Sequence, residues 1–186
     1  MKRYLALALV VAGVTAGCSL RSALPIYGKV PEFTLVRENG NEFTAGGVAG
    51  KVWVADFIFT TCHGPCPRMT SQMKQVADAF QKAPDVGFVS FTVDPENDKP
   101  EVLAEYALRF KADTARWAFV TGSKEELQKL AKDTFYLGDV GGPLEHSTRF
   151  VLIDKELRVR GYYDTSDPAS LPDLKKHIEE LRREVF

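Results

Sequence analysis

Cysteine, histidine and methionine are scarce in this chain of 186 residues, with three of each. An odd cysteine count means that at least one thiol has a fate other than an internal disulfide. Positive charge is not in excess: 24 Lys and Arg stand against 25 Asp and Glu. With no basic cluster, a nucleic-acid partner is set aside, because phosphate contacts need concentrated Lys and Arg. Internal repeats and low-complexity segments are also missing, as is any collagen-like or coiled-coil pattern. No long apolar run exists either. The stretch from Tyr4 to Gly17 holds fourteen residues, about 21 Å as a helix, against a hydrocarbon core of roughly 30 Å. It is too short to span.

What is present points to a folded, exported domain. Hydrophobic residues make up 45% and charged residues 26%, enough for one globular core. Lys2 and Arg3 precede the apolar stretch, which ends in the small residues Thr15-Ala16-Gly17 and then Cys18. This is the pattern of a secretory signal. The junction looks like a bacterial lipobox, with Thr15 where such boxes usually carry Leu. The expected organisation is a lipoprotein-type signal peptide over 1–17, a tether over 18–29 and a single domain over 30–186. Cys18 is the expected lipidation site, and removal of the signal leaves 22 basic against 25 acidic residues.

Along the domain, strand and helix patterns alternate. Glu38-Asn39-Gly40-Asn41 is an Asn-Gly turn signal for an N-terminal β-hairpin. Val52 to Phe59 is a nearly continuous apolar run, as expected of a central strand buried on both faces. From Pro65 the period becomes helical, with Met69, Met73, Val76 and Phe80 on one face. Val86 to Val93 reads as a second buried strand, stopped by Asp94-Pro95. A helix opens at Pro100, with Val102, Leu103, Tyr106 and Phe110 sharing one side. A short strand follows at Trp117–Val120. Ser123 with Glu126 forms a capping box for the next helix. A loop over Leu137 to Glu145 precedes a hairpin (Thr148–Ile153, Leu157–Tyr163), and a last helix carries Leu174, Ile178, Leu181 and Val185. The predicted fold is an α/β sandwich: a mixed sheet with central parallel strands, flanked by helices.

Cys62-His63-Gly64-Pro65-Cys66 falls where the buried strand ends and the helix begins. Free backbone N–H groups at a helix start favour anions, so the thiol pKa is expected to fall there. Residues i and i+4 share a helix face, so the two thiols can converge on one ion or oxidise to a disulfide. Soft thiolates prefer Cu(I) or Zn to hard cations. A plain structural disulfide is the blander reading, but so short a loop stabilises little. His63 reads as an exposed modulator, and His177, in a charged stretch, as solvated.

Phe57 to Pro67, with its Cys-x-x-x-Cys-Pro motif, resembles the signature of the Sco/SenC family of copper chaperones. Thr92-Val93-Asp94-Pro95-Glu96-Asn97-Asp98 is similar to that family's next block. Glu145-His146-Ser147-Thr148-Arg149-Phe150 is similar to the block carrying its metal-binding histidine. The resemblance runs from about Pro31 to the C-terminus and implies a thioredoxin-like fold. It also implies copper, as Cu(I) or Cu(II), on Cys62, Cys66 and His146. The implied partners are a copper donor and the apoprotein of a copper enzyme such as a cytochrome c oxidase subunit, with the membrane reached through a lipid anchor. The chain would then face the periplasm or the cell exterior. The alternative is a thiol–disulfide oxidoreductase in which Cys62 and Cys66 form the redox pair and metal has no part. A peroxiredoxin-like peroxidase fits less well, because the separate Thr-x-x-Cys nucleophile with its supporting Arg is missing. The two internal methionines lie on a helical core face, so no methionine copper relay is expected.

Overall fold

A computed structural model describes residues 22–137 and 147–185. Its centre is an eight-stranded mixed sheet. The strands are β1 (Gly28–Lys29), β2 (Thr34–Arg37), β3 (Glu42–Thr44), β4 (Val52–Ile58), β5 (Val86–Thr92), β6 (Trp117–Thr121), β7 (Arg149–Ile153) and β8 (Arg158–Asp164). Their order across the sheet is β1-β8-β7-β4-β5-β6-β2-β3. β4, β5 and β6 run parallel; β7 pairs antiparallel to β4, and the β2–β3 and β7–β8 hairpins flank this centre. The helices are α1 (Ala45–Val48), α2 (Pro65–Ala79), α3 (Pro100–Arg109), α4 (Lys124–Lys129, continuing as a π-helical turn over Leu130–Thr134) and α5 (Ser170–Arg183). The architecture is the expected thioredoxin-like sandwich.

The apolar strands are buried on both faces because each face meets its own core. Val52, Val54 and Ile58 of β4 pack with Met69, Met73 and Val76 of α2, Leu103 and Tyr106 of α3, and Leu174, Ile178 and Leu181 of α5. Trp53, Ala55 and Phe57 alternate to the other side, against Phe43 of the hairpin and Leu127 of α4. This is period-two alternation with both faces covered. Gly40 turns the β2–β3 hairpin at φ +81, a conformation that costs glycine little.

Packing corrects four details of the sequence reading. Val102 and Val185 share the spacing of their neighbours but are 37% and 64% exposed. The capping box is half made: Ser123 Oγ accepts from the Glu126 amide at 3.2 Å, while Glu126 Oε1 accepts from the Thr34 amide at 3.4 Å. His177 is not simply solvated, since its Nδ1 lies 2.8 Å from the Tyr163 hydroxyl.

At Gly87 on β5, an added Cβ would stand 2.6 Å from the Trp53 ring, whose Nε1–H donates to the Val48 carbonyl at 2.6 Å. The ring therefore has little room to move. Gly87→Ala is expected to destabilise by about 1–3 kcal/mol, the range for overpacking, with urea unfolding as the check.

Candidate metal and redox centre

β4 ends at Ile58, whose carbonyl accepts from the Val93 amide at 2.9 Å and so extends the pairing with β5. The chain then turns: the Cys62 amide donates to the Phe59 carbonyl at 3.2 Å. Gly64 caps α2 with φ −109 and ψ −114, and Pro65 opens the first turn, where its missing N–H leaves no bond unmade. The junction thus places both thiols as expected. Cys62 is 8% and Cys66 2% exposed, and both are free. Around them Thr61, His63, Gly64 and Arg68 are exposed. The pair lies just beneath the surface.

Burial overturns one expectation. The helix start does not lower the Cys66 pKa. Removal from water pushes it up to about 12, against a lowering contribution from the Phe59 backbone; the neighbouring Cys62 thiol and the Asp56 carboxylate raise it further. Desolvation of a charge outweighs a fractional helix-end dipole. The reduced, metal-free Cys66 is therefore a protonated thiol at neutral pH.

Beneath α2 are polar groups that the sequence reading left without a role. Asp56 sits mid-strand in the apolar run, fully buried, and neither carboxylate oxygen has a hydrogen-bond partner. Burial pushes its pKa up to about 7, only partly offset by the Ser90 hydroxyl on the neighbouring strand. That hydroxyl accepts from Trp117 Nε1 at 3.0 Å. On α2, Thr70 Oγ1 donates to the Cys66 carbonyl at 2.9 Å, which leaves the Tyr106 hydroxyl to donate to Thr70 Oγ1 at 2.9 Å. Burial pushes the Tyr106 phenol pKa well up, so it stays a donor. The one sequence signal for Asp56 was a charge in an otherwise continuous apolar run.

His146 and Cys18 lie outside the described residues. Among the described residues, no group of three or more His, Cys, Asp or Glu is arranged to hold a metal ion. The strand that follows His146 is β7, whose antiparallel pairing puts its first residue beside the end of β4. Its start is tied to the cysteine helix: the Thr148 carbonyl accepts from the Thr165 amide at 2.8 Å, and the Thr165 carbonyl from Gln72 Nε2 of α2 at 3.0 Å. His63 is exposed, as expected.

The SCO1/SenC family model matches residues 26–182, a span containing both cysteines and the His146 position. The chain belongs to the SCO1/SenC family. One SCO1/SenC relative, the SCO1 protein homolog of Bacillus subtilis (strain 168), is 37% identical over 113 residues. That alignment spans 60% of this chain and 58% of the relative's length. A Stutzerimonas stutzeri protein with a copper-binding designation is 26% identical over 168 residues, 85% of this chain and 79% of that protein. Among solved structures, a SCO1/SenC family lipoprotein from Bacillus anthracis str. Ames matches at 34% identity and TM-score 0.74, over 83% of this chain and 95% of that one. BsSco, described as a Sco-family cytochrome c oxidase assembly protein with a disulfide switch, matches at 28% identity and TM-score 0.75. There the coverage is 86% of this chain and 96% of that one. Among the described residues of this SCO1/SenC chain, no helix is long and apolar enough to cross a membrane.

Proposed function

We propose that this chain is an extracytoplasmic copper chaperone that takes up copper on Cys62, Cys66 and His146. It then passes the copper to the apoprotein of a copper enzyme, cytochrome c oxidase being the favoured recipient. The observation that carries this reading is the pair of free thiols held together under an exposed rim at the β4–α2 junction. Two sulfurs suit a soft ion such as Cu(I), and one imidazole completes a trigonal set that can admit a further ligand for Cu(II). The ties from Thr148 through Thr165 to Gln72 support His146 as the third ligand, since they hold the chain just after it against α2. Binding displaces the thiol protons. The exposed rim leaves a path for a donor or an acceptor protein to exchange ligands at the site.

Export fits the same reading. Residues 1–17 serve as signal, and Cys18 as the lipidated mature N-terminus, in keeping with the lipoprotein relative. Residues 18–29 link anchor to domain. Within them, Ser22 Oγ donates to Glu180 Oε1 of α5 at 2.7 Å, and the Leu24 and Pro25 carbonyls accept from Arg160 at 2.9 and 3.1 Å.

A second activity draws on the same thiols, and the free state of both cysteines favours it. One thiolate attacks a partner disulfide, forming a mixed disulfide and releasing one partner thiol. The other cysteine then displaces the second partner thiol. Two electrons pass to the partner, and Cys62 and Cys66 end as a disulfide.

The deciding test is a Cu(I) titration of the reduced protein against a competing chelator. One equivalent is expected to bind. Cys62→Ser and Cys66→Ser should each weaken binding by about 100-fold or more, and His146→Ala by about 10- to 100-fold, since even outer-shell partners contribute on that scale. Copper uptake indifferent to all three side chains would overturn the chaperone reading.

A further inference from the structure

Asp98 lies in the loop before α3, yet has no exposed surface. Its carboxylate reaches across the sheet end to the residue two before Cys62. Oδ1 accepts from the Thr60 hydroxyl at 2.5 Å, and Oδ2 from the Thr92 hydroxyl at 2.5 Å. The Thr60 amide points at the same carboxylate, 3.1 Å from Oδ2 and 3.3 Å from Oδ1. A buried carboxylate with this many donors is satisfied rather than stranded.

The loop that presents Asp98 is itself braced. The Asp98 and Asn97 amides donate to the Asp94 carbonyl at 2.8 and 3.1 Å. Asn97 Nδ2 donates to Asp94 Oδ2 at 2.8 Å, and the Asp94 amide to Thr92 Oγ1 at 2.9 Å. Lys99 Nζ closes the loop on the Pro95 carbonyl at 2.9 Å. Asp94-Pro95 therefore does more than end β5: it starts the turn that aims Asp98. On the receiving side, Thr60 lies inside the turn closed by the Cys62 amide and the Phe59 carbonyl. That turn is gripped at its middle by a rigid neighbour.

We propose that Asp98, acting through Thr60, is a positioning residue that fixes the Cys62 sulfur relative to Cys66. This rests on the reading of the two cysteines as one functional pair, and it adds a part of the site that the motif does not contain. Holding one sulfur opposite the other raises their effective concentration toward a shared ion, and equally toward each other. Loosening the turn weakens both processes. A loop staple serving stability alone would affect neither once the protein is folded.

The experiment compares Asp98→Asn, Thr60→Val, Thr60→Ser and the double variant Asp98→Asn/Thr60→Val in the full chain. Three quantities are read: Cu(I) affinity by chelator competition, the equilibrium constant for disulfide formation against glutathione, and the thermal midpoint. In the redox arm the two thiols give two electrons and two protons to glutathione disulfide, yielding the Cys62–Cys66 disulfide and two glutathiones. Asp98→Asn and Thr60→Val are expected to lower both constants about 10-fold, the scale for groups that orient a ligand. Thr60→Ser, which keeps hydroxyl and amide, is expected to match the unaltered protein. The double variant should be no worse than Asp98→Asn, because both changes remove one contact. Unchanged constants beside a lowered midpoint, or additive losses, would overturn the proposal. If Asp98→Asn does not fold, Thr60→Val carries the same comparison. If the unaltered protein takes up no Cu(I), the copper reading fails while the redox arm still decides the role of Asp98.

Discussion

Asp56→Asn is expected to make the reduced, metal-free protein more stable at pH 8 by about 2–4 kcal/mol while changing little at pH 4. Burial keeps the Asp56 proton bound until about pH 7 in the folded chain, against a model value of 3.8 in water. Folding therefore takes up a proton across that window. The contribution of this residue is most favourable below about pH 4 and is lost as pH rises toward 7. The full loss is on the order of 4 kcal/mol, at about 1.4 kcal/mol per unit. Asn keeps the shape but cannot ionise. It also leaves an amide without partners where both carboxylate oxygens had none, so the gain falls short of the full loss. Urea unfolding at the two pH values, compared between the two proteins, isolates this residue from every other titrating group. Equal pH dependence in both would show that Asp56 does not titrate in this range.

Arg160→Met is expected to cost about 3–5 kcal/mol, the range for stranding a buried ionic partner. The expected fall in thermal midpoint is on the order of 10 °C. Arg160 is 2% exposed, and its Nη1 meets Asp154 Oδ2 at 2.7 Å and Glu184 Oε2 at 2.9 Å, both carboxylates being buried. Its remaining donors hold the Leu24 and Pro25 carbonyls. Asp154 keeps Arg158 Nε at 2.7 Å and two backbone amides at 2.9 Å, whereas Glu184 retains only the longer contact with Arg158, 3.8 Å, among its ion pairs. Glu184 is thus the charge left most exposed to the loss. Adding Glu184→Leu should recover part of the stability, because replacing a whole buried pair is far milder than halving it. Limited proteolysis supplies a second readout: with its two carbonyls released, the segment from Ser22 to Tyr27 should be cut faster. A midpoint unchanged by Arg160→Met would mean that the cluster contributes no net stability.

The order of elements was legible because each rests on local rules. The apolar runs Val52–Phe59 and Val86–Val93 announced strands buried on both faces. The four-three-four spacing from Met69 to Phe80 announced a helix packed on one of them. Val102 and Val185 were misjudged because spacing says which side of a helix a residue takes, but not whether the neighbouring element extends far enough to cover it. The cysteine site was legible as a motif at a strand-to-helix junction. Its protonation was not: helix-end electrostatics can be reasoned from sequence, but the depth of Cys66 and its nearness to Asp56 cannot.

The sequence by itself determined the two thiols and their four-residue spacing, the buried strand that delivers them and the export-like leader, because all three are patterns of neighbours along the chain. Only the tertiary structure decided what surrounds the thiols. It brought Asp98 to Thr60 across 38 positions, set Asp56 without partners under α2, and tied Thr148 to α2 through Thr165 and Gln72. The reason is that hydrogen bonding and desolvation depend on distance in space, and residues far apart in the chain meet only once the sheet has closed.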